Sequence, residues 1–176
     1  MYSFGGHHGK PGKVTKACFS QWFSANFVVD DVVYSCAEQY MMAEKARVFG
    51  DEEIRQKILV SNDPKEIKAL GLQVKNFDAE TWSRVASDIV VKGNVQKFGQ
   101  NPILCQFLLD TGKKILVEAS PYDAIWGVGM QESDVGVDNP DNWKGSNLLG
   151  FALMTVRDIL RGRSIQRQSA ASVGDK

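Results

Sequence analysis

Tyr34-Ser-Cys-Ala-Glu-Gln-Tyr-Met-Met-Ala-Glu-Lys-Ala46 is the stretch on which the reading of this chain turns. Ser35-Cys-Ala-Glu38 has the S-x-x-E form of a helix capping box, so a helix is predicted from Cys36 to about Phe49, stopping at Gly50. On that helix Glu38, Met41, Met42, Lys45, Val48 and Phe49 share one face. Lys45 therefore sits within an apolar stripe, with Glu38 two turns away, roughly 10 Å along the axis at about 1.5 Å per residue. Desolvation favours the neutral amine, and a neutral amine attacks carbonyl or anomeric carbon. Two plainer readings stand beside this one. Lys45 carries its ammonium past the stripe to water, or Glu38 is simply the acceptor half of the box.

Outward from this helix the elements are short. Asn26–Val29 and Val32–Tyr34 read as two strands around the Asp30-Asp31 turn. Helices are predicted over 52–60, from Asp63-Pro64 to about Gly71, over 79–92, and from Asn101-Pro102 to a stop at Gly112. Lys114–Ala119 reads as a strand and Ile125–Met130 as a second one. A last helix is predicted from about Ser146 to Leu160. The Gly-rich residues 1–16 and the polar residues 163–176 read as loose tails around a domain at 17–162. The predicted fold class is α+β, a mostly helical single domain with a small β-sheet.

Composition excludes several kinds of chemistry. Lys and Arg together number 21, as do Asp and Glu, so no basic excess marks a general polyanion binder. No apolar run approaches the roughly 20 residues of a membrane helix, and the N-terminal residues lack the apolar stretch of a signal peptide. The three cysteines, Cys18, Cys36 and Cys105, are scattered, form no CxxC pair and read as reduced thiols in a cytoplasmic or nuclear setting. The only two histidines are His7 and His8. A Ser-His-Asp or Cys-His mechanism, or a His-ligated metal, would have to hold one of them in place. Catalysis is expected to run on carboxylates, lysine, tyrosine or backbone groups, with no metal and no cofactor.

Two further segments stand out. Ser120-Pro-Tyr-Asp-Ala-Ile-Trp-Gly-Val-Gly129 follows a strand and combines Asp123, Trp126 and Gly127. Glycine admits close backbone approach and tryptophan offers a stacking face, although the same string fits a tight turn over a core tryptophan. Trp143-Lys-Gly-Ser-Asn-Leu-Leu-Gly150 leads into the last helix, where exposed N–H groups favour a phosphate; the plain alternative is a helix start capped by Ser146.

In order and spacing, residues 34–46, 123–129 and 143–150 together resemble the NADAR, or YbiA-like, family, and Phe19–Phe27 resembles the aromatic segment that precedes its hairpin. Family members usually carry a histidine after the helix glutamate, where this chain has Gln39. The resemblance implies a metal-independent N-glycosidase acting on a phosphorylated riboside. One branch removes ADP-ribose from guanine in DNA or RNA; another cleaves aminopyrimidine ribose phosphates of early riboflavin synthesis. A non-enzymatic ADP-ribose or nucleotide sensor is the competing class. By resemblance Lys45 is the nucleophile, Glu38 and Asp123 assist it, and Trp126, Gly127, Tyr40, Trp22, Ser146 and Asn147 hold substrate.

Overall fold

The computed structural model describes residues 1–6 and 14–173, with side chains described as far as residue 166. His7 and His8 lie outside the described residues. In chain order the elements are β1 (Tyr2–Phe4), a 3-10 turn (Lys16–Phe19), β2 (Phe27–Val29), β3 (Val32–Tyr34), α1 (Ala37–Val48), α2 (Glu52–Val60), α3 (Pro64–Gly71), α4 (Ala79–Gly99), α5 (Pro102–Leu109), β4 (Leu116–Glu118), a second 3-10 turn (Pro140–Asn142) and α6 (Leu148–Val173). β2 and β3 form the expected antiparallel hairpin, with Asp30 and Asp31 both at positive φ, 49° and 63°. The fold is the expected α+β kind, but its strands form two separate pairs rather than one sheet.

α1 is the centre of the molecule. α2, α3 and α4 all pack against it, and residues 37–43, 45 and 46 are buried. Its burial runs around nearly the whole circumference, so the single apolar stripe expected from the sequence is a helix enclosed on several sides. The capping box also differs. Cys36 occupies the cap position without a side-chain bond, and it is Gln39, not Glu38, that turns back: its Oε1 accepts from the Ser35 N–H at 2.7 Å and from the Ser35 hydroxyl at 3.1 Å. The Gln39 amide nitrogen donates to the carbonyls of Ile58, Leu59 and Ser61. One fully buried glutamine thus ties the start of α1 to the end of α2.

α2 and α3 begin and end where expected. Asp51 and Asp63 accept from the N–H groups of Ile54 and Lys65 at the two helix starts, and Pro64 opens α3. α4 runs seven residues past its predicted end. Gly93 does not break it, because a side chain there would collide with the Tyr40 ring; the glycine sets the close approach of α1 and α4. Lys97, near the end of α4, is completely buried. Its Nζ donates to the carbonyls of Cys18 and Ser20 at 2.8 and 2.9 Å, fixing the segment that leads to Gln21 and Trp22.

Both ends of the chain are more structured than expected. β1 pairs in parallel with β4, Phe4 opposite Glu118. Phe4 is fully buried, with its ring 5.3 Å from that of Phe19. Aromatic burial outweighs the glycine-rich local sequence. At the other end α6 continues through Val173, where a polar tail was expected from residue 163. Residues 125–130, expected as a strand, are a loop. Among the described residues no helix is long and apolar enough to cross a membrane.

Candidate functional site

Glu38 lies in the first turn of α1, 7% exposed, with its N–H bonded to the Gln21 carbonyl. No described residue donates a hydrogen bond to its carboxylate. Burial pushes its pKa up to about 7; Lys68 pulls it down, Asp123 pushes it further up, and Lys45 pulls it down. The charge is therefore held near the protonation balance a general acid or base needs at neutral pH.

Two turns along, Lys45 is 8% exposed. Its ammonium does not reach past the stripe to water. Nζ donates to the Gly71 carbonyl at 2.8 Å and lies 4.2 Å from the centroid of Phe77 and 6.0 Å from that of Trp82. Burial lowers its pKa, and Glu38 opposes the shift. Gly71 ends α3 directly over Met42, with no room for a side chain, which brings the carbonyl within reach.

Asp123 holds the loop 120–129 in shape: its Oδ1 accepts from the N–H groups of Ile125 and Trp126 at 2.9 and 2.8 Å. A side chain at Gly127 would stand 2.8 Å from the Asp123 carbonyl oxygen and 3.0 Å from that of Glu118. Here glycine lets two backbone segments approach each other. Glu118, at the end of β4, was not singled out in the sequence. Burial, then the Asp123 charge, pushes its pKa up to about 8. Asp123 thus bears on both Glu38 and Glu118, and the three acids form one cluster beside Lys68. Trp22 belongs to the same surroundings, with the Lys68 Nζ 5.9 Å from its ring centroid. Lys68 was also missed; as an exposed residue of a short amphipathic helix it carries no local signal. Glu118 did carry one, since it ends a predicted strand just before the loop already chosen.

Three expected binding residues are placed differently. The N–H groups of Ser146, Asn147, Leu148 and Leu149 all donate to carbonyls of residues 124–127, so the start of α6 offers no phosphate cradle. Asn147 is fully buried at φ 53°; its Oδ1 accepts from the Glu118 N–H and its Nδ2 donates to the Leu116 carbonyl, both at 2.9 Å. It positions β4 and does not face a ligand. Asn147→Ala should lower stability by about 2–4 kcal/mol, from two lost hydrogen bonds and stranded partners. An unchanged midpoint in urea unfolding would contradict that role. Tyr40 points away from the acids, into an aromatic group with Phe27 and Tyr34, where its ring lies 5.1 Å from that of Tyr34. Ser146 is exposed, and Trp126 is half-buried against the main core.

Among the described residues no three His, Cys, Asp or Glu side chains are gathered so as to hold a metal ion. The site gathers a buried amine, two acids that retain protons near neutrality, a third carboxylate, a cation and two tryptophans.

Known proteins resemble this chain over most of its length. The chain is 47% identical over 146 residues to N-glycosidase R617 of Acanthamoeba polyphaga mimivirus, covering 80% of this chain and 85% of that one. It is 30% identical over 142 residues to N-glycosidase YbiA of Escherichia coli (strain K12), covering 81% and 80%. The solution structure of Escherichia coli YbiA superposes with a TM-score of 0.73 at 25% identity, over 93% of this chain and 88% of that one. The NADAR domain family model matches residues 8–161, and the chain belongs to that family.

Proposed function

We propose that the protein is an N-glycosidase that hydrolyses the bond between ribose and a base in a phosphorylated riboside, with ADP-ribose attached to guanine of a nucleic acid as its substrate. The observation that carries the reading is the pairing, on one helix, of a desolvated amine at Lys45 with a carboxyl at Glu38 that titrates near pH 7. The names of the relatives support the reaction class.

In this reading neutral Lys45 attacks the anomeric carbon. A C–N bond forms to the lysine, and the bond to the base breaks. The base leaves with that electron pair and takes a proton from Glu38. Ring opening gives a Schiff base, and water releases the sugar and the lysine. Positive charge develops on the sugar during cleavage, and the Asp123 carboxylate stabilises it. Glu118, with its raised pKa, is placed to pass protons to and from the cluster. Trp22 and Trp126 offer faces for the base, and Lys68 is the nearby cation for phosphate oxygens.

The test is a product assay on DNA bearing ADP-ribosylated guanine, run beside an aminopyrimidine ribose phosphate. Free ADP-ribose and intact DNA are expected from the first substrate, at a kcat/KM at least tenfold above the second, with EDTA leaving the rate unchanged. The reverse preference would assign the protein to the riboflavin-type branch. Binding of ADP-ribose without turnover of either substrate would make it a sensor.

A further inference from the structure

We propose that a hollow on the other side of α1 from Glu38 is a second ligand site, one that takes a phosphate group. The hollow measures about 310 Å³ and its walls include Tyr34, Tyr40, Glu44, Arg47, Arg55 and Lys92. Tyr40, Glu44 and Arg47 follow one another at helical spacing, about 200° around the helix axis from Glu38 at roughly 100° per residue. The inference is therefore independent of the reaction proposed above.

Two donors in the walls meet no hydrogen-bond partner among the described residues: the Tyr40 hydroxyl, on a residue only 1% exposed, and the Arg55 Nε. A buried donor left without an acceptor is destabilising, and most native structures hold few. Both groups keep their protons at neutral pH, so each has a hydrogen still to donate, although the phenol oxygen can also accept. Guanidinium keeps its proton, and burial raises the pKa of the Tyr40 phenol above its ordinary value. The missing partner is thus an acceptor.

The surrounding charge says which kind. Arg47, Arg55 and Lys92 face two carboxylates, Glu44 and Asp30. Glu44 is already bound by Arg47 through Nε and Nη2, each at 2.9 Å. Asp30 lies 3.6 Å from the Lys92 Nζ, and its side chain is 87% exposed to water. Arg55 is held at the hollow's edge by Glu52 at 3.0 Å. A compact oxyanion with several acceptor oxygens meets both orphaned donors and the cations at once, and phosphate is one that arginine forks hold bidentately. The volume is at the lower end of small-molecule sites, roughly 300–1,000 Å³, enough for a phosphate with its sugar. A terminal phosphate of a free nucleotide and a backbone phosphate of a nucleic acid share this chemistry.

The experiment is a titration of the full chain, nitrogen-15 labelled, at constant ionic strength. One arm uses inorganic phosphate, and the other a single-stranded DNA oligonucleotide with hydroxyl ends. The Arg55 Nε–H resonance and the backbone N–H resonances of Tyr40, Glu44 and Arg47 are followed in both, the backbone resonances alone in Arg55→Gln. A saturable shift is expected in at least one arm, with at least tenfold weaker binding in Arg55→Gln or Tyr40→Phe. Saturation by phosphate alone assigns a free phosphate ester; tighter binding of the oligonucleotide assigns a backbone phosphate. Tyr40→Phe keeps the ring packing and removes one stranded hydroxyl, so its melting temperature in phosphate-free buffer should equal or exceed that of the wild type, while the rise on adding phosphate shrinks. Absence of a saturable shift in both arms, or wild-type affinity in both variants, overturns the proposal.

Discussion

Lys45→Ala is expected to reduce turnover to background, and Lys45→Arg is expected not to restore it. The amine is the one group on α1 that combines burial with nucleophilic potential. Its pKa is lowered by desolvation, so more of it is neutral at physiological pH than of a solvated lysine. Guanidinium stays protonated and cannot attack carbon. Lys45→Met separates chemistry from folding. It fills nearly the same volume against Phe77 and Trp82 and gives up the bond to the Gly71 carbonyl and the ammonium's attraction to the two rings. A folded Lys45→Met protein without activity would isolate the chemical role. Borohydride added during turnover should leave a ribose-derived mass on Lys45 in the wild type and none in the variants. The pH profile adds a sign. Rate should fall at low pH, where the amine is protonated, and at high pH, where Glu38 has lost the proton it gives to the base. Normal turnover in Lys45→Met would remove the nucleophile from the proposed reaction.

The parts of the fold that were legible in the sequence are those where local signals carry their own chemistry. The Asp51 and Asp63 caps and Pro64 set the limits of α2 and α3 without help from the rest of the chain. The parts that were not legible depend on packing. Gly93 looks like a helix breaker until the Tyr40 ring lies against it. Residues 1–6 look loose until Phe4 packs on Phe19. The site divides along the same line. Glu38 and Lys45 could be paired because helical spacing places them on one face. Tyr40 could not be assigned, because a helix buried nearly all round has apolar residues facing both the site and its opposite side. Glu118 and Lys68 join the cluster only through the docking of β4 and α3. Asn147 and Gly127 looked like ligand contacts because tight backbone packing uses the same residue types as ligand binding.

Glu38→Gln should lower turnover by about 10²-fold or more, the usual scale of a general acid or base, while making the protein more stable at pH 8. The two effects share one cause. The carboxyl is buried, no described residue donates a hydrogen bond to it, and its pKa is raised from 4.5 to about 7. Between those values the folded protein keeps a proton that the unfolded chain has released. The contribution of Glu38 to stability is thus fully present below about pH 4.5 and lost as pH rises toward 7. Above that, the wild type carries a buried charge that glutamine does not, a difference on the order of 3 kcal/mol. In a domain of this size that corresponds to about 6–12 °C in melting temperature. Near pH 5 the gap should shrink, because the wild-type carboxyl is then neutral. Ser35→Ala is the control. Its hydroxyl and N–H meet Gln39 rather than Glu38, so removing the hydroxyl should cost about 1 kcal/mol and leave single-turnover rates intact. A Glu38→Gln enzyme that keeps the wild-type rate would take this carboxylate out of the chemistry and move the acid role to Glu118, the other carboxyl in the cluster with a raised pKa.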